Sequence, residues 1–161
     1  MKVLIATDGS SFSKAAIAAL PEIVAHPEKA IFKIISAVEY PIPPTGVEAV
    51  MVSAEYYDRV EEGGHKLATE FTRQAADQMR KLFQGVTLDL TTEVIDGSPV
   101  RAVIEQAESW HADLIVIGSQ GYGFWSRTVL GSVSSSILHH AHCSVLVVRT
   151  NPNDVETAGR I

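Results

Sequence analysis

The sequence predicts a doubly wound α/β domain built on a mainly parallel, five-stranded sheet. Three observations carry this. Short apolar, β-branched runs recur along the chain, stretches between them return apolar residues at three- and four-residue steps, and Gly, Pro and Asp mark the joins. Strands that alternate with helices need crossover connections, which lay the strands parallel and place helices on both faces.

In chain order, Val3 to Ala6 is a buried strand that stops at Thr7-Asp8-Gly9-Ser10. A helix follows, with Phe12, Ala15, Ala16, Ala19, Leu20, Ile23 and Val24 on one stripe, Ser10 or Ser11 as its cap and a kink at Pro21. Ile31 to Val38 is the second strand, and Pro41, Pro43, Pro44 and Gly46 make the stretch after it a loop. A polar segment from Ser53 is interrupted by Gly63 and Gly64, so the second helix is predicted only from His65 to Phe83, with Leu67, Phe71, Ala75, Met79 and Leu82 in register. Val86 to Ile95 carries Asp89 and Glu93 and reads as an edge strand. Ser98 caps and Pro99 opens a third helix to Trp110, with Val100, Val103, Ile104 and Ala107 buried. Leu114 to Ile117 is a central strand, Ser132 to His140 a fourth helix and Val145 to Val148 a last strand; the tail from Asn151 is expected to fray.

The 161 residues suit one domain over residues 1–150, with a tail at 151–161. Lys and Arg number 13 against 19 Asp and Glu, a net charge of −6. That excess argues against a broad electrostatic grip on nucleic acid or an anionic membrane, so any phosphate must be held locally. Cys143 is the single cysteine, which precludes an internal disulfide and suits a reducing compartment. The apolar start is too short for a signal peptide or a membrane span, and a cytoplasmic protein is expected.

Chemistry concentrates between Gly118 and Ser134. The segment opens where the fourth strand stops and closes at the start of a helix, where free backbone N–H groups and the helix dipole favour an anion. Gly118 and Gly121 let the backbone turn and approach a ligand, Gly131 leaves space over the helix end, and Ser132 and Ser134 add hydroxyl donors. These are the parts of a phosphate cradle, although each glycine alone equally serves a turn and Ser132 equally serves as a cap. No Lys follows Gly131, so this is not a P-loop, and Ser126 stands where a dinucleotide fingerprint would need its last glycine. The serines form no Gly-x-Ser-x-Gly elbow.

With Gly118, Gly121, Gly131 and Ser132 in a Gly-x2-Gly-x9-Gly-Ser pattern, the chain resembles the ATP-binding branch of the universal stress protein family. Thr7-Asp8-Gly9-Ser10, Ala112 to Gly118, Leu130 to Ser134 and Val145 to Arg149 support the match, which spans residues 1 to 149 apart from 40 to 64. The resemblance implies a Rossmann-like, adenine-nucleotide alpha-hydrolase-like sheet in the order 3-2-1-4-5, with a ligand crevice at the carboxyl ends of the first and fourth strands. It further implies adenine against the backbone of Ala37, ribose near Asp8 and Gly118, and Ala6, Thr7 and Ile117 bordering base and sugar. The phosphates would lie on Gly121, Gly131, Ser132, Val133 and Ser134. Asp8 equally reads as an Asx turn closing its strand. The implied ligand is ATP, with ADP and AMP left open. Asp8 and the phosphates together offer a place for Mg2+, while the protein alone presents no metal site.

The function expected from this is a nucleotide-occupied regulatory module in a stress response. Slow ATP hydrolysis or transfer in the same crevice and a nucleotide-free interaction module are the alternatives. His139, His140, His142 and Cys143 are zinc donors by type, but adjacent ligands at a helix end assemble a tetrahedral site poorly. Arg127 reaches a terminal phosphate or is solvated, and Phe124 and Trp125 cover a ligand or partner, or pack under their loop. The last strand, Val145 to Val148, is apolar and lies at an edge, and the resemblance implies a homodimer through its antiparallel pairing with a second copy.

Overall fold

The structure, a computed structural model, describes residues 1–40, 54–121 and 130–149. Strands β1 (Lys2–Ala6), β2 (Ile31–Val38), β3 (Asp89–Asp96), β4 (Leu114–Gly118) and β5 (Ser144–Val148) form one all-parallel sheet in the order β3-β2-β1-β4-β5. The helices are α1 (Ser11–Ala18), α2 (Leu20–Ile23), α3 (Ala54–Leu82), α4 (Pro99–Trp110) and α5 (Ser132–His140).

Because side chains alternate along a strand, β1 feeds two cores at once. Val3 and Ile5 join Phe32, Ile34 and Val116 under Ala16 and Ile17 of α1 and Ala75, Ala76 and Met79 of α3. Leu4 points the other way, to Ile35, Ile115 and Ile117 beneath Val103 and Ala107 of α4 and Ile137 of α5. Connections leaving β1 therefore run over one face and those leaving β4 over the other. The chain reverses between these neighbours and opens a crevice at their carboxyl ends.

Four local departures from the sequence reading have physical causes. The first helix does not merely kink. It stops at Ala18, and α2 restarts at Leu20 with Pro21 in the first turn, where the missing N–H costs no bond. Helix α3 begins at Ala54, eleven residues earlier than predicted, and runs through both glycines. Gly64 belongs there for packing, since a Cβ on it would stand 2.8 Å from Val38 Cγ1, whereas Gly63 has nothing within 4 Å. Strand β3 starts at Asp89 instead of Val86, because Val86 N–H still closes a turn onto the Phe83 carbonyl and Gly85 takes φ +83. Ser98 occupies the N-cap of α4 without a capping side-chain bond, and the buried face is Ala102, Val103 and Ala107, with Val100 and Ile104 partly exposed. Among the described residues no helix is long and apolar enough to cross a membrane.

Candidate functional site

The site starts from the turn that ends β1. Gly9 takes φ +75, the left-handed region open to glycine. Ser10 then caps α1, its Oγ accepting from Ser13 N–H at 3.2 Å. Both the backbone N–H and the hydroxyl of Ser10 donate to Asp8 Oδ1, at 3.0 and 2.6 Å. Asp8 is therefore an Asx turn, as one of its two readings expected. Its Oδ2 faces the other way, 2.7 Å from where a Cβ on Gly121 would stand.

At the end of β4, Ser119 N–H donates to Val148 O and Gly131 N–H to Ser119 O, at 2.9 and 2.8 Å, which brings the two ends of the 119–131 segment together. Gly131 is the N-cap of α5, and the first i to i−4 bond of that helix runs from Ser135 N–H to Gly131 O. The N–H groups of Ser132, Val133 and Ser134 precede it and have no acceptor within the helix. No acidic residue sits in this first turn.

Here one role read from the sequence, that of the Ser134 hydroxyl, is corrected, and Gly118 gains a second reason to be glycine. A Cβ on Gly118 would lie 2.6 Å from the Phe12 carbonyl carbon and 2.8 Å from its oxygen, so the close approach of α1 demands glycine at this position. Ser134 is no spare donor, since its buried hydroxyl donates to Gly118 O at 2.7 Å. It pins the start of α5 to the end of β4.

The strand ends differ in length, and this exposes backbone. Thr7 N–H donates to Ile35 O on one side of β2, while Gly97 N–H donates to Val38 O on the other. By alternation Ala37 turns its N–H and C=O toward the β1 side, where β1 has already ended at Ala6. The crevice there has a volume of about 220 Å3. Ala6, Thr7, Asp8, Ala37, Ile117, Gly118, Gly121, Gly131, Ser132, Val133 and Ser134, every residue expected at the site, line it. Ile35, Pro99, Val103 and Ile137 add an apolar wall, with Ser13 and Gln120 beside them, and the sequence reading did not include these six. Apolar spacing put Val103 on a buried helix face but could not show that this face borders a cleft. Asp8 is the one ionisable residue among the described lining residues.

The remaining described candidates lie outside the crevice lining. His139 and His140 each place Nδ1 on the carbonyl four residues back, at 2.7 and 2.8 Å, and His142 Nε2 lies 3.7 Å from Glu108. No group of three or more metal-donor side chains forms among the described residues. Burial, and then the Asp113 charge, push the Cys143 thiol up from its ordinary value. Arg127, Phe124 and Trp125 lie outside the described residues. A separate tie joins the ends of β2 and β3 to α3. Tyr40 OH donates to Asp96 Oδ1 at 2.7 Å and His65 Nε2 lies 2.8 Å from the same oxygen; burial and this bond push the phenol up to about 12.

The universal stress protein family model matches residues 1–149. A universal stress protein of Methanocaldococcus jannaschii is 31% identical over 152 residues, covering 92% of this chain and 81% of the relative. One from Synechocystis is 27% identical over 155 residues, covering 92% and 97%. Among solved structures, a universal stress protein in complex with cAMP is similar at a TM-score of 0.65 and 28% identity, covering 94% of this chain and 98% of that one. A family protein of Arabidopsis thaliana with AMP bound has a TM-score of 0.63 at 18% identity over 96% and 94%, a likeness of fold. The match over residues 1–149 and the β3-β2-β1-β4-β5 sheet agree, and the chain belongs to the universal stress protein family.

Proposed function

We propose that the crevice binds an adenine nucleotide, ATP foremost, and that the protein works in the cytoplasm as a nucleotide-occupied regulatory module of a stress response. The observation that carries this is that one cleft is bounded by two open sets of backbone groups. At one end the Ala37 N–H and C=O match the acceptor and donor on a purine edge. At the other, the N–H groups of Ser132, Val133 and Ser134 and the α5 dipole suit an anion. The apolar wall of Ile35, Val103 and Ile137 fits the faces of a base between them. The relative crystallised with cAMP supports the same ligand class. At about 220 Å3 the crevice falls below the roughly 300 to 1,000 Å3 of pockets that enclose drug-sized ligands. Base and sugar are enclosed and the phosphates sit at the mouth, on α5.

Asp8 fits the ribose hydroxyls through Oδ2, because Oδ1 already accepts twice from Ser10. It offers a Mg2+ ion one free oxygen, so such an ion would be held chiefly by the phosphates. Among the described lining residues Asp8 alone is ionisable and no second ionisable group stands beside it to activate water, which favours binding over turnover. Mass spectrometry of ligand released from denatured protein, followed by calorimetric titration with ATP, ADP and AMP, tests the proposal. An adenine nucleotide in the release, or saturable binding with ATP tightest, supports it; neither release nor heat at millimolar ATP refutes it.

We further propose a homodimer through β5. The opposite edge, β3, exposes Asp89, Glu93 and Asp96, which discourage pairing, whereas Val145, Leu146, Val147 and Val148 are half-buried and uncharged. A two-fold axis lets that edge pair with its copy. Light scattering should find a dimer that Val147→Lys splits into monomers; a monomeric wild type at tens of micromolar sinks the interface.

A further inference from the structure

Helix α3 meets the turn that carries Asp8 from the side opposite the cleft. The cleft wall comes from α4 and α5, on the Leu4 face of the sheet, whereas α3 covers the Val3 and Ile5 face. There the Phe71 ring lies against Gly9. A Cβ built on Gly9 would stand 2.3 Å from Phe71 Cδ1 and 2.5 Å from Cε1, so the ring fills the volume that a side chain at Gly9 would occupy. Two turns earlier on the same helix, Gly64 packs its bare backbone against Val38, next to Ala37. One helix thus braces the turn at the end of β1 and the end of β2. Phe71 does not line the cleft, so it acts on a ligand there only indirectly, and it touches Gly9, the neighbour of the site residue Asp8.

Gly9 is the residue of that turn with the widest conformational freedom. Its left-handed φ lies within the turn that brings the Ser10 N–H and hydroxyl onto Asp8 Oδ1, and those bonds hold only one of the two carboxylate oxygens. We propose that Phe71 is a positioning residue of the nucleotide site. By filling the space under Gly9, its ring holds the Thr7–Ser10 turn in the bend that aims Asp8 Oδ2 into the cleft beside Gly121. This rests on the reading that the cleft binds an adenine nucleotide with its ribose at Asp8.

The test is calorimetric titration of ATP and of 2′,3′-dideoxy-ATP into wild type, Phe71→Ala, Phe71→Leu, Phe71→Tyr and, as a control on the exposed side of the same helix, Leu67→Ala. Wild type should prefer ATP by about tenfold, the worth of one charge-assisted hydrogen bond. Phe71→Ala should bring the two ligands within about twofold, Phe71→Tyr should restore the preference, and Leu67→Ala should leave it unchanged. A general loss of structure would weaken both ligands together, so a Phe71→Ala protein with lower affinity but an intact ratio overturns the proposal. Where Phe71→Ala shows no cooperative melt, Phe71→Leu decides, and an unchanged ratio there overturns it equally. Wild type that binds both ligands alike removes the ribose role of Asp8 and the positioning role with it. Wild type that binds neither refutes the nucleotide reading itself.

Discussion

Replacing Gly118 with alanine should destabilise the protein in the absence of any nucleotide. The added Cβ would stand 2.6 Å from the Phe12 carbonyl carbon and 2.8 Å from its oxygen, about 1 Å inside the roughly 3.5 to 4.0 Å of optimal contact. Both atoms belong to the backbone of α1, so no rotamer change relieves the crowding and the helix itself must shift. Overpacking of this kind costs about 1 to 3 kcal/mol. In a chain of 161 residues, where each kcal/mol moves the midpoint by about 2 to 4 °C, the melting temperature should fall by about 2 to 12 °C. Gly63→Ala is the internal control, because its Cβ would meet nothing within 4 Å on the exposed side of α3. There, alanine should raise stability by about 0.5 to 1 kcal/mol through helix propensity. Thermal unfolding followed by circular dichroism on nucleotide-free protein reads both. Were Gly118→Ala to melt within about 1 °C of wild type, crowding by Phe12 would not be the reason for the glycine.

Ser10→Ala removes the α1 cap together with a hydroxyl partner of Asp8, and should cost about 1 to 2 kcal/mol in urea denaturation. Hydrogen bonds from Arg73 and Gln74 lower the Glu70 carboxyl from 4.5 to about 2. Its contribution to stability is therefore full above 4.5 and lost as pH falls toward 2, and NMR titration should show Arg73→Ala returning the midpoint toward 4.5. Cys143, pushed up by burial and by Asp113, should alkylate more slowly than free cysteine at pH 8, and Asp113→Asn should quicken it.

Much of this molecule was legible before its structure because signals of different kinds agreed. The apolar runs at Val3 and Leu114 marked the two central strands, and the glycine spacing from 118 to 131 marked what joins β4 to α5. What the sequence hid was the partner of each feature. Gly118 looks the same on the page whether a ligand or Phe12 crowds it, and only the packing of α1 distinguishes the two. Ser134 reads as a donor until the carbonyl of Gly118 is found 2.7 Å away. Gly63-Gly64 reads as a helix breaker because propensity is local, whereas the contact of Gly64 with Val38, which makes a glycine useful there, joins residues far apart in the chain. The apolar wall stayed invisible for the same reason: Val103 and Ile137 are ordinary core residues until two helices flank a gap.

Helix α3 spans 29 residues, about 43 Å, while β2 and β3, against which it packs, are 8 residues and about 26 Å long. Its later part is anchored by Ala68, Thr72, Ala75, Ala76 and Met79, all buried, whereas residues 55–63 are exposed or half-exposed and end at a glycine that lowers helix propensity. One continuous ladder of hydrogen bonds is thus divided into two opening units. Amides of the first three turns exchange with solvent through local fraying, on the scale of an isolated short helix. Those beyond Ala68 exchange only when the sheet face they cover is uncovered. Hydrogen exchange along this helix would draw the boundary of the cooperative unit near His65, where the tie to Asp96 fastens the helix to the end of β3.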